Sequence, residues 1–370
     1  MRKISTVSYL KAIMLSVIIM AAWHGGGITE TNAQPLNPSG ELSPLNADHI
    51  WAQTLSGSHF NEFWTWHFFM DDGMLVTITF SAANFGSLKS PVSGVRVSVV
   101  GLEGETWQLT REYPIEELIQ DRETGLFQLR DEREVWFKGS LPDDMQLRIE
   151  TTKDGITYDI HLFLDDIHPG FKFGDGIYRI GSEEIGIFTH IPFARARGHI
   201  EVNGTRRDVT GTAHMDHTFQ HQTTTRLMDS GYRFISHTDE DNWDVLFFFL
   251  PAGERNLRTI GYMLSSTAGE QDIFAVHNIE RKNTSRLHGK RVAAEAEIML
   301  MHPAGTIKVA NLRRERDMER FSMLSELSWV ERRVARTFLG GEVLEFRGEA
   351  TFSVPGRETA TGFYNFFLVD

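Results

Sequence analysis

Hydrophobic and polar residues alternate with a period of two over most of the chain, in short segments separated by turn signals. Side chains of a strand point alternately to its two faces, so this period predicts β-strands. Residues 71–73 (DDG) and Asn203-Gly204 are typical of hairpin turns. Closely spaced strands with such turns predict an all-β antiparallel protein, and two eight-stranded barrels would account for the number of strands.

One segment near the C-terminus departs from this pattern and predicts an amphipathic helix over residues 316–338. Its apolar residues recur at spacings of three and four: Met318, Phe321, Leu324, Leu327, Val330, Val334 and Phe338. Arginines load its last turns, and Gly340-Gly341 ends it. The arginine face is either solvated or a patch for association with a membrane surface. The acidity of the whole chain favours the solvated face.

Residues 61–70 (NEFWTWHFFM) form an aromatic strand with two different faces. Trp64, Trp66 and Phe68 share one face, while Phe63, Thr65, His67 and Phe69 share the other. Aromatic residues on both faces indicate a strand that is buried on both sides or that borders a ligand cavity. We therefore take Trp64 and Trp66 as candidate ligand contacts, with a place in the barrel core as the alternative.

Composition narrows the classes of function. The formal net charge of −13 argues against a nucleic-acid partner, and the absence of cysteine excludes disulfides, thiol catalysis and thiolate metal sites. Residues 1–33 resemble a signal peptide, with Arg2, Lys3 and Lys11 around an apolar run and a small-residue cleavage site before Gln34. We expect an exported protein, periplasmic or extracellular after cleavage, with a leader loop over residues 34–50.

Titratable side chains are concentrated in residues 209–222 (VTGTAHMDHTFQHQ). On a strand, His214 and Asp216 lie on the same face, and His217 lies on the other. A carboxylate beside an imidazole fixes its tautomer and raises its pKa, so His214 and Asp216 are a candidate acid/base pair. The alternative is a polar face that meets solvent or a satisfied hydrogen-bond network.

The same histidines allow a metal site as a further alternative. His214, His217 and His221 have the spacing of one helical face, but on a strand only His217 and His221 share a face. Two ligands on one face do not complete a zinc site. The sequence therefore predicts no metal and no cofactor.

Several segments together resemble the family of carotenoid hydratases (hydroxyneurosporene synthases) and AttH-like proteins. Residues 62–66 (EFWTW) resemble its EWWY-like opening, and residues 211–220 resemble its GxGYHDHNWG-like strand. Residues 173–178, 191–198 and 231–250, and the late helix, resemble other parts of the family pattern. Six positions depart from the histidine-strand motif: Ala213, His214, Met215, Thr218, Phe219 and Gln220.

The resemblance implies two lipocalin-like (calycin) barrels in tandem, which we expect over residues 51–212 and 213–370, with an apolar ligand in a barrel cavity. It also implies an acidic residue of the histidine strand that protonates an isoprenoid double bond; Asp216 and His217 match that position. Candidate catalytic residues are thus Asp216, His214 and His217. Candidate ligand contacts are Trp64, Trp66, His190, Phe219 and Tyr232.

Three functions stay open at this point. The first is an exported carrier or sensor of an apolar molecule such as an isoprenoid or lipid. The second is a hydratase or lyase, in which Asp216 is the general acid, held by His214. That role needs burial to raise the pKa of Asp216 so that it can donate a proton. The third is a histidine-based metalloenzyme.

Overall fold

The computed structural model describes residues 35–86, 89–129, 134–287, 289–322, 324 and 329–370. The predicted signal peptide lies outside these ranges. Within them, no helix has the length and apolar character needed to cross a membrane. The described chain is nearly all β, which confirms the predicted fold class, and it is arranged as a large sheet followed by a closed barrel.

The large sheet has fifteen strands, and its main hydrogen-bonded order is β6-β5-β4-β3-β15-β14-β11-β10-β9-β8-β7. Its strands β1 to β15 are Pro35–Leu36, Leu42–Pro44, His59–Met70, Leu75–Phe85, Val92–Leu102, Glu105–Pro114, Ile119–Asp121, Leu126–Gln128, Val135–Ser140, Asp144–Lys153, Ile156–Asp165, Phe171–Phe173, Ile177–Ile180, Glu183–Val202 and Thr205–Gln220. A short helix α1, Thr224–Leu227, leads from the sheet to the barrel.

Eight antiparallel strands in chain order, β16 to β23, close the barrel. They are Met228–His237, Trp243–Pro251, Ile260–Thr267, Glu270–Leu287, Lys290–Met301, Ile307–Ser322, Val343–Ser353 and Ala360–Val369. Helix α2, Trp329–Leu339, lies between β21 and β22. Two 3₁₀ turns complete the described elements, Ala47–Ile50 and Ile115–Glu117.

Three buried clusters follow from the period of two. The first core, inside the curled sheet, contains Trp64, Trp66 and Phe68. The barrel interior is filled by side chains that include Tyr232 and Phe248. A third cluster packs the sheet on the outer face of the barrel, with contributions from Phe173, Tyr178, Phe193, Phe247, Tyr262 and Leu264. Many strands are therefore buried on both faces, and the sheet–barrel interface is a second hydrophobic layer.

The first half of the chain is not a second closed barrel in its hydrogen bonding. Its order runs openly from β6 to β7, although the sheet curls until distant strands meet across the core. The Trp64 and Phe127 rings are 4.6 Å apart, and those of Phe80 and Phe137 are 5.2 Å apart. The long strand β14 changes register near Ile191. It also pairs with β12 and β13, so this sheet has more than the eight strands expected of a barrel.

The late helix is shorter than predicted. Residues 316–322 belong to β21 and pair with β22, and helix α2 begins only at Trp329. Two register shifts in β21, between residues 314 and 316 and between 317 and 319, break the period of two and leave helix-like spacings in the sequence. The long ladder with β22 therefore decides the conformation. Residues 323 and 325–328 of the predicted helix lie outside the described chain.

Two predicted boundaries also differ from the structure. The expected start of the second barrel, residue 213, lies inside β15, which pairs with β14 along its length and with β3 over residues 211–220. The closed barrel starts at Met228. The expected leader loop contains two short strands, β1 and β2, which pair with β13 and β12. The leader is therefore part of the sheet.

Candidate functional site

A cavity of about 220 Å³ lies between the large sheet and the outer face of the barrel. The sheet contributes one face of β3 to β6 and β15, including Phe63, Thr65 and His67 of β3. The opposite face of β3 carries Trp64 and Trp66 into the first core. The alternation of the aromatic strand therefore separates core residues from cavity residues.

Polar side chains form two facing rows across this interface. In the sheet, neighbouring strands pair in register along what we call the sheet row: Gln108, Ser98, Thr77, His67 and His214. In the barrel, the same kind of register defines the barrel row: Glu319, Arg347, Asn365 and Arg233. Four of these residues, His67, Arg347, Asn365 and Arg233, line the cavity.

Ionic hydrogen bonds join the two rows at one end of the interface. Glu319 Oε1 accepts hydrogen bonds from Ser98 Oγ and Gln108 Nε2, both at 2.6 Å. Its other oxygen accepts from Arg347 Nη1 at 3.0 Å. Gln108 of β6 and Glu319 of β21 are 211 positions apart in sequence. The contact therefore ties the two halves of the molecule together.

A second ionic contact lies at the other end, between β15 and β16. Arg233 Nη2 donates to Asp216 Oδ1 at 2.9 Å, and Arg233 Nε lies 2.9 Å from Asp216 Oδ2. The guanidinium also lies over the Phe247 ring, 5.1 Å from its centroid. The hydrogen bond and the ionic contact together hold the guanidinium at the cavity wall.

Glu345 lies between the two ends and is shared by two arginines. Arg96 Nη2 and Arg347 Nη2 donate to its two oxygens, each at 2.9 Å. Burial acts to raise the pKa of Glu345, but the charges of Arg96 and Arg347 lower it to about 2. Glu345 is therefore a carboxylate at neutral pH, and the same pairing raises the pKa of Arg347 against its burial.

His67 is a buried imidazole on the cavity wall. Burial, and then the positive charge of Arg233, lowers its pKa well below the ordinary range, so the ring is neutral. Its Nδ1 lies 3.4 Å from Thr77 Oγ1, and its Nε2 has no hydrogen-bond partner within the described chain. His67 can thus offer a ligand either a donor or an acceptor.

Much of the rest of the cavity wall is apolar and aromatic, beside polar residues that include Thr79, Ser81 and Gln220. Six phenylalanines line it, from both the sheet and the barrel: Phe63, Phe85, Phe247, Phe249, Phe321 and Phe367. Ala83, Val92, Ile185 and Val343 extend this surface. The cavity therefore combines an apolar wall with a polar side, a combination that is typical of small-molecule sites.

The structure brings the predicted pair together on the cavity side of β15. His214 Nε2 lies 3.5 Å from Asp216 Oδ2, and both side chains are buried. Burial acts to raise the pKa of Asp216, but Arg233 and His214 outweigh it, so the pKa lies below its ordinary value. This direction is opposite to the one a general acid needs. Asp216 therefore acts here as the ionic partner of Arg233.

His217 points to the other face of β15, into the first core. Its Nε2 lies 2.7 Å from Glu62 Oε1, its ring stacks on Trp64, and its Nδ1 lies 3.5 Å from His190 Nε2. Glu62 also accepts hydrogen bonds from Gln53 and Thr54. His217 Nδ1 also lies 3.1 Å from the His49 carbonyl, so the contact network joins the leader to β3 and β15, away from the interface cavity.

None of the predicted ligand contacts is among the residues that line the interface cavity. Trp64 and Trp66 are fully buried in the first core, and Tyr232 stacks on Phe248 inside the barrel. Phe219 covers Gly186, and His190 borders a groove of about 580 Å³ beside the leader. The sequence signal for the cavity was the other face of β3, which carries Phe63, Thr65 and His67.

The histidines do not assemble a metal site in the described residues, where no group of three His, Cys, Asp or Glu side chains could hold an ion. His214 and His217 lie on opposite faces of β15, and His221 is exposed. The strand geometry separates the three imidazoles.

Comparison with known proteins defines the class of fold. No protein-family model matches the sequence, and no curated protein matches it. Solved structures do match: this is a lipocalin-like fold shared with AttH-like proteins.

Among the matching structures is one described as an AttH from Nitrosomonas europaea, at 15% identity and a TM-score of 0.59, which covers 90% of this chain and 99% of that chain. CghA with Sch210972 aligns at 13% identity and a TM-score of 0.61, covering 90% and 94%. Kievitone hydratase from Nectria haematococca aligns at 13% identity over 90% and 97%, with a TM-score of 0.49. At these identities the likeness establishes the fold alone.

Proposed function

We propose that this protein binds a small, largely apolar molecule in the cavity between the sheet and the barrel. The observation that carries the proposal is the cavity wall, where six phenylalanine rings stand beside a row of buried polar side chains. The proposal retains the lipocalin-like carrier or sensor expected from the sequence. It moves the ligand from a barrel interior, which side chains fill, to the interface.

The size of the cavity favours a compact ligand. About 220 Å³ is below the roughly 300–1,000 Å³ of ordinary small-molecule sites. A long isoprenoid would need the interface to open, whereas a short isoprenoid, an aromatic compound or part of a lipid would fit the closed form. The structure of CghA with Sch210972, a match to this fold, supports a binding function.

A hydratase or lyase is the second candidate, and the cavity-facing imidazole of His67 favours it. A neutral imidazole with a free nitrogen can take a proton from water, and Arg233 can polarise a substrate oxygen. In this form of the hypothesis Asp216 holds Arg233 in place. Turnover of a compound recovered from the cavity would then be lost in His67→Phe, while binding of that compound would be weakened about tenfold but remain measurable.

Native mass spectrometry of residues 34–370, purified from the exported fraction, tests the binding proposal. We expect the mass of a chain cleaved after Ala33, together with a small-molecule adduct. Ala83→Phe puts a ring into the cavity, so it should abolish the adduct. Ala304→Phe, on an exposed turn, is the matched control and should keep it. An adduct that survives in Ala83→Phe would contradict the interface site.

A further inference from the structure

We infer that the interface cavity selects a ligand with a neutral hydroxyl group and discriminates against carboxylates and ammonium groups. The inference rests on the proposed binding function and specifies the polar end of the ligand. Its basis is the pairing of charges and the unused hydrogen-bonding atoms on the cavity wall.

The arginines around the cavity are already neutralised by protein carboxylates. Arg233 is held by Asp216, Arg96 by Glu345, and Arg347 by both Glu345 and Glu319. These three arginines and three acids balance in charge, and Arg347 and Glu319 have side chains only 5% and 3% exposed. A charged ligand would lose its hydration without finding a free counter-charge.

The rim of the cavity does not alter this balance. Arg111 and Glu112 also line the cavity, with opposite signs on adjacent residues. Glu112 is exposed and forms an ion pair with Lys89, and Arg111 is half-buried. Charges in contact with solvent are screened, so they contribute little to the selection of a buried group.

Three buried polar atoms of cavity-lining residues have no hydrogen-bond partner within the described ranges: Arg347 Nε, Asn365 Oδ1 and His67 Nε2. Asn365 Nδ2 donates to Glu345 Oε2 at 3.3 Å, which fixes the amide so that Oδ1 is left as an acceptor. Residues of the wall thus carry one donor, one acceptor and one imidazole nitrogen of either kind, all without a protein partner within the described ranges. These residues are at most 4% exposed, so unmade bonds here are costly.

A hydroxyl group is a neutral group that matches this set, because it both donates and accepts. It donates to Asn365 Oδ1 and accepts from Arg347 Nε, and its second lone pair remains for His67. A carboxylate cannot donate to Asn365 Oδ1, and an ammonium cannot accept from Arg347 Nε. The phenylalanine rings then enclose the apolar body of the same ligand.

Four probes with one aromatic skeleton separate these cases: benzyl alcohol, benzoate, benzylammonium and toluene. Each would be titrated into the mature chain at neutral pH and followed by ligand-observed NMR, with Ala83→Phe as the blocked cavity. We expect benzyl alcohol to bind about tenfold more tightly than benzoate or benzylammonium, the ratio that corresponds to the loss of one buried hydrogen bond. Benzoate or benzylammonium binding as tightly as the alcohol would overturn the inference.

Variants locate the preference on the wall. Asn365→Leu and His67→Phe should each weaken benzyl alcohol about tenfold and leave toluene unchanged. His161→Phe is the matched control, because His161 also has a buried unpartnered nitrogen but does not line the cavity. If toluene bound as tightly as benzyl alcohol, the inferred selectivity for a hydroxyl group would be wrong, while the proposed binding function would stand. If no probe bound, or if Ala83→Phe bound them all equally, the proposed binding function would itself be wrong.

Discussion

Buried charged residues dominate the chemistry of this protein at the scale of single side chains. Asp216, Glu319 and Glu345 each lie within 3.0 Å of an arginine nitrogen at the sheet–barrel interface. Buried pairs of this kind contribute little net stability, but removal of one partner leaves a charge without compensation. The interface therefore tolerates the replacement of a whole pair better than the loss of one member.

Histidines of the interface make the stability dependent on pH. Burial lowers the pKa of His237 from 6.5 to about 3, and the ring is held between Thr212 Oγ1 and the Pro192 carbonyl. A depressed folded-state pKa means that the stability is fully present above pH 6.5 and is lost as the pH falls toward 3. Below pH 6.5 the unfolded chain binds the proton more readily.

We predict that protonation of His237 in the unfolded chain lowers the unfolding free energy by about 2 kcal/mol when the pH falls from 7 to 5. His237→Gln should flatten the dependence by that amount in urea titrations at both pH values. His221→Gln, at an exposed position, should leave the slope as in the wild type. A slope that His237→Gln leaves unchanged would show that this imidazole is not the group that titrates.

At the scale of elements, strands such as β3 and β15 send the side chains of one face into the core and those of the other face into the sheet–barrel interface. β3 supplies Trp64 to the core and His67 to the cavity, while β15 supplies His217 to the core and Asp216 to the interface. One residue of shift in register would exchange these roles. The bulges in β14 and β21 are two of the places where the alternation changes.

One side chain of the leader, besides its strand pairing with the sheet, also pins it to the barrel. Asn37 Nδ2 donates to the Val276 carbonyl at 3.0 Å, and Asn37 Oδ1 accepts from the Gly261 amide at 2.8 Å. Asn37→Ala should therefore lower the unfolding free energy by about 1–2 kcal/mol and speed hydrogen exchange at the Gly261 amide. Asn256→Ala, an exposed control, should change neither. Unchanged exchange at Gly261 would contradict the anchoring role.

At the scale of the whole molecule, sheet and barrel are joined by a hydrophobic cluster and by buried ionic contacts between them. One of these ion pairs, Arg96 with Glu345, connects residues 249 positions apart in sequence. Because the cavity lies in the same interface, binding and the cohesion of the two halves depend on the same residues. A ligand should therefore also raise the stability of the whole chain.

Arg347→Met tests this connection. It leaves Glu319 and Glu345 buried with fewer donors, and we expect a loss of about 3–5 kcal/mol in denaturant unfolding, with separate transitions for sheet and barrel. Arg316→Met removes an exposed pair with Glu349 on the same barrel and should cost at most about 1 kcal/mol. Equal effects of the two variants would mean that the buried network does not hold the halves together.

The sequence alone determined the all-β class and the faces of the main strands, because alternation along a strand is a local property of the backbone. It therefore correctly separated Phe63, Thr65 and His67 from Trp64 and Trp66, and placed His214 with Asp216. It also indicated the end of the late helix near Gly340-Gly341, where α2 stops at Leu339.

Only the tertiary structure decided which face of a strand borders the cavity and whether the buried carboxyl groups of Asp216 and Glu345 are ionised. Asp216 is ionised because β16 brings Arg233 against it, and Glu345 because Arg96 approaches from another sheet. The helix prediction over residues 316–322 was wrong because the ladder with β22, a non-local contact, outweighs a local spacing. Pairing between distant strands leaves no periodic trace in either partner, so the site residues Arg347 and Asn365 could not be found from the sequence.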